Sequence, residues 1–329
     1  MEKIVIGIDI SAKTLDICVK KRNKKEFFKI ENTISKIKSF FKHFSKTPQT
    51  IVAMENTGKY NWFLYEVLED FVFQVFVINP LHLKKSLGLI RGKNDEIDAE
   101  RIADFTDKNQ EMLHPWKPDA LEMKKLKVLF SERNSKVKLK AHLLKLQHNY
   151  TLTKSGCEKS LLRMNQQEIK LIEKHISALE TAIEAVIKST ETLSQKANLL
   201  KSVPGVGKVL CWLLLVKTGG FEKITKPRQL ACYAGVVPFD YQSGTAIRYK
   251  PRVSFYADKS LKSILHLAAM SAIRLENDLR AYYLRKVAEG KNKMLVLNNV
   301  RNKIVHRVFA VINQQKPYEK NYINSLVLS

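Results

Sequence analysis

Two short apolar runs that each end in an acidic residue constrain the fold of this chain most strongly. Residues 4–8 precede Asp9, and residues 51–54 precede Glu55. Runs of this length that are rich in β-branched residues are typical of buried strands. The two carboxylates should therefore stand at strand ends, where they can converge in one cleft.

The pattern around these runs predicts an α/β domain with a mixed sheet. The predicted elements are strands at 4–8, 15–19 and 26–30, a helix near 34–44, a strand at 50–54, a helix over 59–70, a strand at 71–78 and a helix over 95–107. The turn between the first two strands favours an antiparallel meander, and the apolar run before Asn79-Pro80 is typical of a buried parallel strand. The order β-β-β-α-β-α-β-α indicates one α/β sheet.

A long helical arm is predicted for the middle of the chain. Residues 119–196 contain one glycine, Gly156, and no proline, and their apolar residues recur at helical spacing. We predict two long helices with a break near Ser155-Gly156, which fold back on each other or pair with a second subunit as a coiled coil. An arm of this kind spaces domains and holds oligomers together.

The helical pattern is interrupted by the glycine- and proline-containing sequence Val-Pro-Gly-Val-Gly-Lys at residues 203–208. A helix, a tight glycine hairpin and a second helix would produce this pattern, which resembles the helix-hairpin-helix motif. Gly205, Gly207 and Lys208 would then grip a DNA backbone, unless the hairpin serves only as a packing unit. Further predictions are a short helix at 229–233, turns and short strands at 235–252, and helices at 260–275, 278–287 and 295–312. The predicted domains are 1–110, 111–196 and 197–329.

The charge distribution favours a polyanionic partner. The chain has 57 basic and 32 acidic side chains, a formal net charge of +25. The excess is +4 over 1–110, +6 over 111–196 and +15 over 197–329. Lysine-rich usage can reflect genome composition, but this would spread the excess evenly. The C-terminal part is therefore the predicted nucleic-acid surface.

Several classes of protein are disfavoured by composition. No apolar stretch approaches the roughly 20 residues that span a bilayer, and the first residues do not resemble a secretory signal, so we expect a cytoplasmic protein with no membrane partner. The cysteines, Cys18, Cys157, Cys211 and Cys232, form no C-x-x-C pair. We therefore predict buried thiols rather than a zinc site or disulfides.

Asp9, Glu55, Asp95 and Asp98 are the candidate metal ligands. Carboxylates are the hard oxygen ligands that Mg²⁺ prefers, and enzymes of nucleic acids use such ions to neutralise phosphate charge. Residues three apart share a helix face, so Asp95 and Asp98 can point the same way. The alternative is that an acid in the first turn of a helix only complements the helix dipole.

Motifs in both halves of the chain resemble one known family. Residues 6–11 with Lys13, residues 54–58 and residues 93–99 resemble the Asp-Glu-Asp-Asp motifs of the IS110-family transposases, whose N-terminal domain is similar to the RuvC resolvase, RNase H-like fold. Residues 202–207, residues 229–235, and Pro238 followed by 242–244 resemble the second region of that family. The resemblance extends from about residue 3 to 312.

The resemblance implies a recombinase whose active site has two parts. The acidic quartet would bind Mg²⁺, with Mn²⁺ as an alternative, and Ser243 would attack a DNA phosphate to form a covalent phosphoserine link. It also implies double-stranded DNA at the element ends and target as partner, a structured guide RNA from the element, and a homo-oligomer, a dimer or tetramer. A serine needs activation by a base or metal for such an attack.

Other residues near Ser243 are candidates on chemical grounds. Tyr241 and Tyr249 are alternative nucleophiles. The basic residues predicted to bind nucleic acid are Lys93, Arg248, Lys250, Arg252 and Lys262. Residues 254–262 depart from the family's Ser-Lys-x-Gly-x-x-x-Leu-Arg-like stretch. Lys262 preserves a positive charge where arginine is usual in the family. The family's glycine is absent from this stretch, so the resemblance does not define the backbone conformation here.

Three other functions compete with a serine transposase. A site-specific DNA invertase would share the same motifs, as the pilin-gene invertases do. A RuvC-like junction nuclease would use the four acids with water as nucleophile. In a basic nucleic-acid-binding protein without catalytic activity, the acids would be structural. The basic patch at 20–25 would serve RNA or DNA equally, because phosphate contacts carry no base identity.

Overall fold

The computed structural model describes residues 3–22, 24–45, 49–86, 94–152, 157–243 and 247–319, apart from the side chains of residues 59 and 240–250. The chain forms two compact units, Met1–Pro118 and Asp119–Ser329. Both the mixed α/β sheet at the N-terminus and the mostly helical remainder confirm the predicted classes. The division into three functional domains stays a prediction.

The first unit is built on a five-stranded mixed sheet. Its elements are β1 Ile4–Ile10, β2 Thr14–Lys21, β3 Lys24–Glu31, α1 Ile34–Lys42, β4 Thr50–Glu55, a 3₁₀ turn Gly58–Asn61, α2 Trp62–Leu68, β5 Gln74–Ile78, α3 Pro80–Ser86 and α4 Asp95–Asn109. The strand order is β3-β2-β1-β4-β5. The first three strands are antiparallel, as predicted, and β4 and β5 run parallel to β1.

Strand alternation gives the sheet two buried faces. The even-numbered isoleucines of β1 pack with Ile37 and Phe41 of α1 and with Leu64 of α2. Val5 and Ala53 lie on the opposite face in a cluster with residues of α4. Because β-strand side chains alternate, Asp9 and Glu55 belong to the face that α4 covers.

Two predicted elements of the first unit were wrong in their extent. The strand predicted at 71–78 begins only at Gln74, because the rings of Phe71 and Phe73 stack on each other at 5.0 Å before the strand starts. The helix predicted over 59–70 is a 3₁₀ turn followed by the short α2. Helix α3 was not predicted at all.

The second unit is helical except for one hairpin. Its elements are α5 Leu121–Leu152, α6 Glu158–Lys188, α7 Glu191–Ser202, α8 Lys208–Thr218, α9 Pro227–Tyr233, β6 Pro238–Ser243, β7 Ile247–Val253, α10 Lys259–Ala272, α11 Asp278–Ala288 and α12 Lys293–Gln314. Among the described residues, no helix is long and apolar enough to span a membrane.

Helices α5 and α6 fold back on each other as an antiparallel pair. Arg133 binds Glu180 at 2.7 Å and Lys140 binds Glu173 at 2.7 Å. Farther along, Leu143 packs with Ile169 and Ile172. The near end of the pair belongs to the main core of the second unit, whose buried residues include Leu126, Ile183, Trp212 and Val305.

The cysteines are only partly as predicted. Cys18 and Cys211 are buried, and burial raises the pKa of their thiols to about 11 and about 12. Cys157 is exposed, against the prediction of a buried thiol, because it precedes the first residue of α6 rather than facing a core.

Candidate active site

Asp9 and Glu55 stand at one edge of the first unit's sheet. Ile8 of β1 pairs with Met54 of the parallel strand β4, so the acid that follows each residue occupies the corresponding place on neighbouring strands. Both side chains are partly exposed. The structure thus places this pair of acids as the sequence predicted.

A glycine brings the helix with the other two acids onto this edge. A Cβ on Gly7 would lie 2.3 Å from the backbone oxygen of Ala99 and 2.4 Å from the backbone nitrogen of Ala103. Only a residue without a side chain allows α4 to rest so closely on β1. Asp98 precedes Ala99 in the chain, and the Asn94 side chain caps the helix start by accepting from Glu96 N at 2.6 Å.

The acids at the start of α4 act electrostatically on Asp9. Burial raises the pKa of Asp9 above its ordinary value, and the negative charges of Asp98 and Asp95 raise it further. These three acids are therefore close enough to repel each other. Glu55 belongs to the group by its strand position, and its backbone oxygen accepts a hydrogen bond from Asn61 Nδ2 at 2.9 Å.

The acids are not drawn tightly together. Over the part of the chain that the structure describes, no group of three or more His, Cys, Asp or Glu side chains is arranged to hold a metal ion. Asp98 instead binds Arg101 at 2.9 Å. The chemistry of the donors nevertheless suits a divalent cation, because all are carboxylates and a cation would relieve the repulsion that raises the pKa of Asp9.

Asp16 is an acid of this edge that the sequence reasoning missed. It lies opposite Asp9 in the antiparallel pair β1–β2, is only 4 % exposed, and its charge also raises the pKa of Asp9. Lys29 of β3 binds it at 3.0 and 3.2 Å, and this hydrogen bond raises the pKa of Lys29. The alternation of Asp16 with Leu15 and Ile17 was the available signal for a side chain on the α4 face.

Much of the basic patch at 20–25 is neutralised inside the first unit. Lys20 binds Asp104 at 2.8 Å and Asp107 at 2.9 Å, and Lys25 binds Glu100 at 2.6 Å and Asp104 at 2.8 Å. All three acids belong to α4. These lysines therefore hold α4 on the sheet instead of presenting free charge to a phosphate.

Ser243 lies at the turn end of the hairpin β6–β7 in the second unit. It is the last residue of β6 and pairs with Ile247, while Tyr241 pairs with Tyr249 and Gln242 with Arg248. The side chains of Ser243, Tyr241, Tyr249, Arg248 and Lys250 lie outside the described part of the structure, as does the whole of Lys93. Arg252, near the end of β7, is exposed.

A polar cluster closes the base of this hairpin. The Tyr233 hydroxyl donates to Asp258 Oδ2 at 3.0 Å, Lys217 Nζ binds the same oxygen at 2.8 Å, and Asp258 Oδ1 accepts from Leu261 N at 2.8 Å. Burial raises the pKa of Asp258, but the hydrogen bonds from Lys217 and the Leu261 amide outweigh it and lower the pKa.

This cluster also explains the departure at 254–262. Asp258 is the N-cap of α10, and no residue in that stretch, all of which the structure describes, has a positive φ. The backbone here therefore needs no glycine. Lys262 lies in the first turn of α10 and is partly exposed.

A short turn joins α7 to α8, and the helix-hairpin-helix motif at this place stays a prediction. Gly205 adopts a φ of +87°, and a Cβ there would lie 2.3 Å from the backbone oxygen of Ala268 in α10. Gly207 is the exposed N-cap of α8 and Lys208 is its exposed first residue. Gly205 thus packs the turn on α10, while Gly207 and Lys208 face outward.

Comparison with known families agrees with both halves of this description. A transposase model of the DEDD type of IS110 matches residues 6–154, which include all four predicted acids. A second model, for transposases of the IS116/IS110/IS902 family, matches residues 197–284, which include Ser243. The chain belongs to the IS110 family of transposases. Membership implies an enzyme that processes DNA.

Relatives of this IS110-family chain match it over almost its whole length. A pilin gene-inverting protein of Moraxella bovis is 27% identical over 97% of this chain and 99% of its own, and that of Moraxella lacunata is 28% identical over the same shares. A transposase for insertion sequence element IS1328 of Yersinia enterocolitica is 24% identical over 96% of this chain and 98% of its own.

Proposed function

We propose that this transposase cuts and rejoins DNA strands with an acidic metal site, Asp9, Glu55, Asp95 and Asp98, and with Ser243 as the nucleophile. The observation that carries the proposal is geometric: Asp9 and Glu55 stand at corresponding places on the parallel strands β1 and β4, and α4, which begins with Asp95 and Asp98, packs against β1 at Gly7. The strand order with β1 central and β4 and β5 parallel to it also supports a RuvC-like, RNase H-like fold.

The acids would hold Mg²⁺, or Mn²⁺, against the scissile phosphate. When bound, such an ion neutralises phosphate charge and polarises the bond to be broken. Asp9 would supply a partly buried carboxylate, whose pKa is raised by burial and by the charges of Asp98 and Asp95. Asp98 would hold the ion together with the other three acids, and its contact with Arg101 at 2.9 Å fixes its carboxylate beside the start of α4.

Ser243 would carry out the covalent step. Its Oγ forms a bond to phosphorus while the bond from phosphorus to a deoxyribose oxygen breaks, the serine proton passes to a base or water, and the sugar oxygen leaves as a hydroxyl. Attack by a sugar hydroxyl on the phosphoserine then reverses these bond changes and rejoins a strand. The position of Ser243 at the turn end of a hairpin suits a nucleophile that must reach a backbone.

Nucleic acid would be gripped mainly by the second unit. Gly207 and Lys208 place backbone amides and an ammonium at the outward start of α8, as in a helix-hairpin-helix. Arg248, Lys250, Arg252 and Lys262 would hold phosphates around Ser243. A structured guide RNA as a second partner rests on the family resemblance, with the large positive charge as its physical support.

The pair of α5 and α6 would join subunits as a coiled-coil arm. Beyond the buried contact between the two helices, apolar side chains remain exposed on both, among them Leu139, Leu144, Met164 and Leu171. A second copy of the arm would cover them. A dimer, or a tetramer of two dimers, would then assemble the acids and Ser243 for strand exchange.

Substitution of Ser243 tests the covalent step. Ser243→Ala should abolish strand exchange and any covalent protein–DNA species while leaving DNA and RNA binding at the wild-type level. Denaturing gels of labelled DNA with Mg²⁺ measure both products, and Tyr241→Phe and Tyr249→Phe are the matched controls. Unchanged cleavage by Ser243→Ala would favour a junction nuclease that uses water.

Substitution of Asp9 tests the metal site. Asp9→Ala should abolish cleavage with Mg²⁺ and with Mn²⁺, and Mn²⁺ binding measured by electron paramagnetic resonance should weaken as well. Full activity would mean that the acids are structural.

Inversion is the second candidate activity, because pilin gene-inverting proteins match nearly the whole chain. DNA substrates distinguish inversion from transposition: an invertase should act on two sites in inverted orientation in one molecule, whereas a transposase should also join sites on separate molecules.

A further inference from the structure

We infer that Trp62 and Phe63 form a stacking surface for unpaired bases of a nucleic-acid strand. This inference rests on the proposed function, which brings a strand to the sheet edge where Asp9 and Glu55 stand. We call this pair of side chains the aromatic edge.

Both side chains of the aromatic edge are about half exposed. Trp62 is 53 % exposed and Phe63 is 47 % exposed, although α2 already buries Leu64 in the core. The other tryptophans are covered, since Trp212 is fully buried and Trp116 stacks on Tyr65 at 4.9 Å. Two adjacent large aromatic side chains in water are costly and usually mark a binding surface.

Two buried amides fasten the segment before the aromatic edge to the ends of β1 and β4. The Asn61 side chain, which is fully buried, donates to Glu55 O at 2.9 Å and accepts from Thr57 N at 3.0 Å. Asn32 Nδ2 donates to Ser11 O at 3.0 Å and to Tyr60 O at 3.1 Å. Ser11 follows the strand of Asp9, so the segment before Trp62 is fastened to the ends of both acid-bearing strands.

The chemistry of the aromatic edge favours bases over a protein partner. The chain belongs to a family of DNA-processing enzymes, so a nucleic-acid strand is the ligand to expect at this edge. Indole and phenyl faces bind any base by stacking, without reading sequence. Bases in a duplex are stacked on one another, whereas strand exchange must unpair some of them near the cut.

Trp62 supplies its own spectroscopic test. The protein is titrated with oligo-dT or oligo-U in the presence of a chelator, which prevents metal-dependent cleavage, and binding should quench tryptophan emission. Comparison of the two oligomers shows whether the occupant is a DNA or an RNA strand. Trp62→Phe should abolish most of the quench but keep the affinity within about threefold, because a ring remains. Trp62→Ala should weaken single-strand binding by about 5- to 150-fold, with duplex binding changed far less.

A matched pair of phenylalanines provides the control. Phe63→Ala should weaken single-strand binding, whereas the control Phe27→Ala should not, because Phe27 is 43 % exposed in the middle of β3. Three results would each overturn the inference. They are unaltered single-strand binding by Trp62→Ala, equal losses of affinity in the two phenylalanine variants, and a change of oligomeric state without a change in binding. Ser243→Ala should retain the quench, so a failure of the covalent chemistry remains distinguishable from a failure of stacking.

Discussion

Gly7 sets the distance between the helix of Asp95 and Asp98 and the strand of Asp9. Its missing side chain is replaced by the backbone of α4 at Ala99 and Ala103. The acids of the two elements repel each other, so their proximity must be enforced by packing. At the scale of single residues, this contact is what holds them together.

Gly7→Ala should therefore separate α4 from the sheet. The added Cβ meets backbone atoms that cannot rotate away, so we expect a loss of about 3 kcal/mol in the free energy of unfolding, the upper end of the usual cost of overpacking. Urea unfolding followed by hydrogen exchange of the β1 amides measures the first unit separately. Gly207→Ala, where no atom lies within 4 Å of the new Cβ, is the control and should cost less than about 1 kcal/mol.

Asp258 makes the second unit sensitive to acid. The lowered pKa of Asp258 means that its stabilising contribution is complete above the ordinary aspartate range and is lost as the pH falls through the folded-state value. Asp258→Asn keeps an N-cap side chain but removes the negative charge that pairs with Lys217. Asp258→Ala removes the N-cap as well, and should lower the free energy of unfolding by about 1 kcal/mol more than Asp258→Asn does.

Thermal unfolding across pH tests this sign. The difference between wild type and Asp258→Asn should shrink as the pH is lowered below the ordinary aspartate range. Asp70→Asn, which breaks the exposed pair with Lys38, should have little effect at any pH. A difference for Asp258→Asn that grows in acid would contradict the assignment.

Single residues were predictable where they interrupt a pattern. Asp9 and Glu55 lie at the ends of apolar strands, and Asp95 and Asp98 lie at the start of a helix, as the sequence predicted; their role as metal ligands stays a prediction. Asp16 was missed because its role depends on which residue of β1 it faces and on a lysine in β3. Pairing of this kind is a property of the sheet register, which local periodicity does not contain.

At the scale of elements, the arm contains a polar residue whose removal should stabilise it. Asn165 of α6 is 4 % exposed, and its Nδ2 donates to Leu143 O at 3.2 Å. Its Oδ1 is buried and accepts no hydrogen bond from the described residues. A buried acceptor of this kind costs more than its partner hydrogen bond contributes.

Asn165→Leu should raise the free energy of unfolding of the arm by about 1 kcal/mol. Asn165→Asp, nearly identical in shape, should lower it because it buries a charge. Hydrogen exchange of the α5 and α6 amides measures both. A destabilised Asn165→Leu would show instead that the amide contributes more than its single hydrogen bond.

Most elements could be predicted because their periodicity is strong. The strands of the meander and the first arm helix lie within a few residues of their predicted positions, whereas the second arm helix ends at Lys188 instead of near residue 196, and α7 begins at Glu191. The errors occur where tertiary packing competes with propensity. Phe71 and Phe73 have high strand propensity but pack in the core before β5 begins, and α3 is too short for a helical period to register.

At the scale of the molecule, the two units divide the charge unevenly. Residues 1–118 carry 20 basic and 16 acidic side chains, whereas residues 119–329 carry 37 and 16. The pairing of Lys3, Lys20 and Lys25 with α4 further reduces the free charge of the first unit. Nucleic-acid binding should therefore depend on salt chiefly through the second unit.

Affinity for a DNA duplex should fall by about a thousandfold or more between about 50 and 200 mM salt, as expected for six or more phosphate contacts. Lys208→Ala should reduce the slope of log affinity against log salt by about one. Lys25→Ala should leave the slope unchanged, because this lysine is already paired with Glu100 and Asp104. Fluorescence anisotropy at several salt concentrations measures the slopes, and a flat dependence would exclude a phosphate grip.

The lysines that hold α4 on the sheet also couple folding to chromatographic behaviour. While α4 is seated, its acids mask Lys3, Lys20 and Lys25 from any polyanionic matrix. A chain in which α4 has lifted off presents these ammonium groups without any change in formal charge. Retention on heparin should therefore report whether α4 is packed on the sheet. Gly7→Ala has the same formal charge as the wild-type chain but should elute at higher salt.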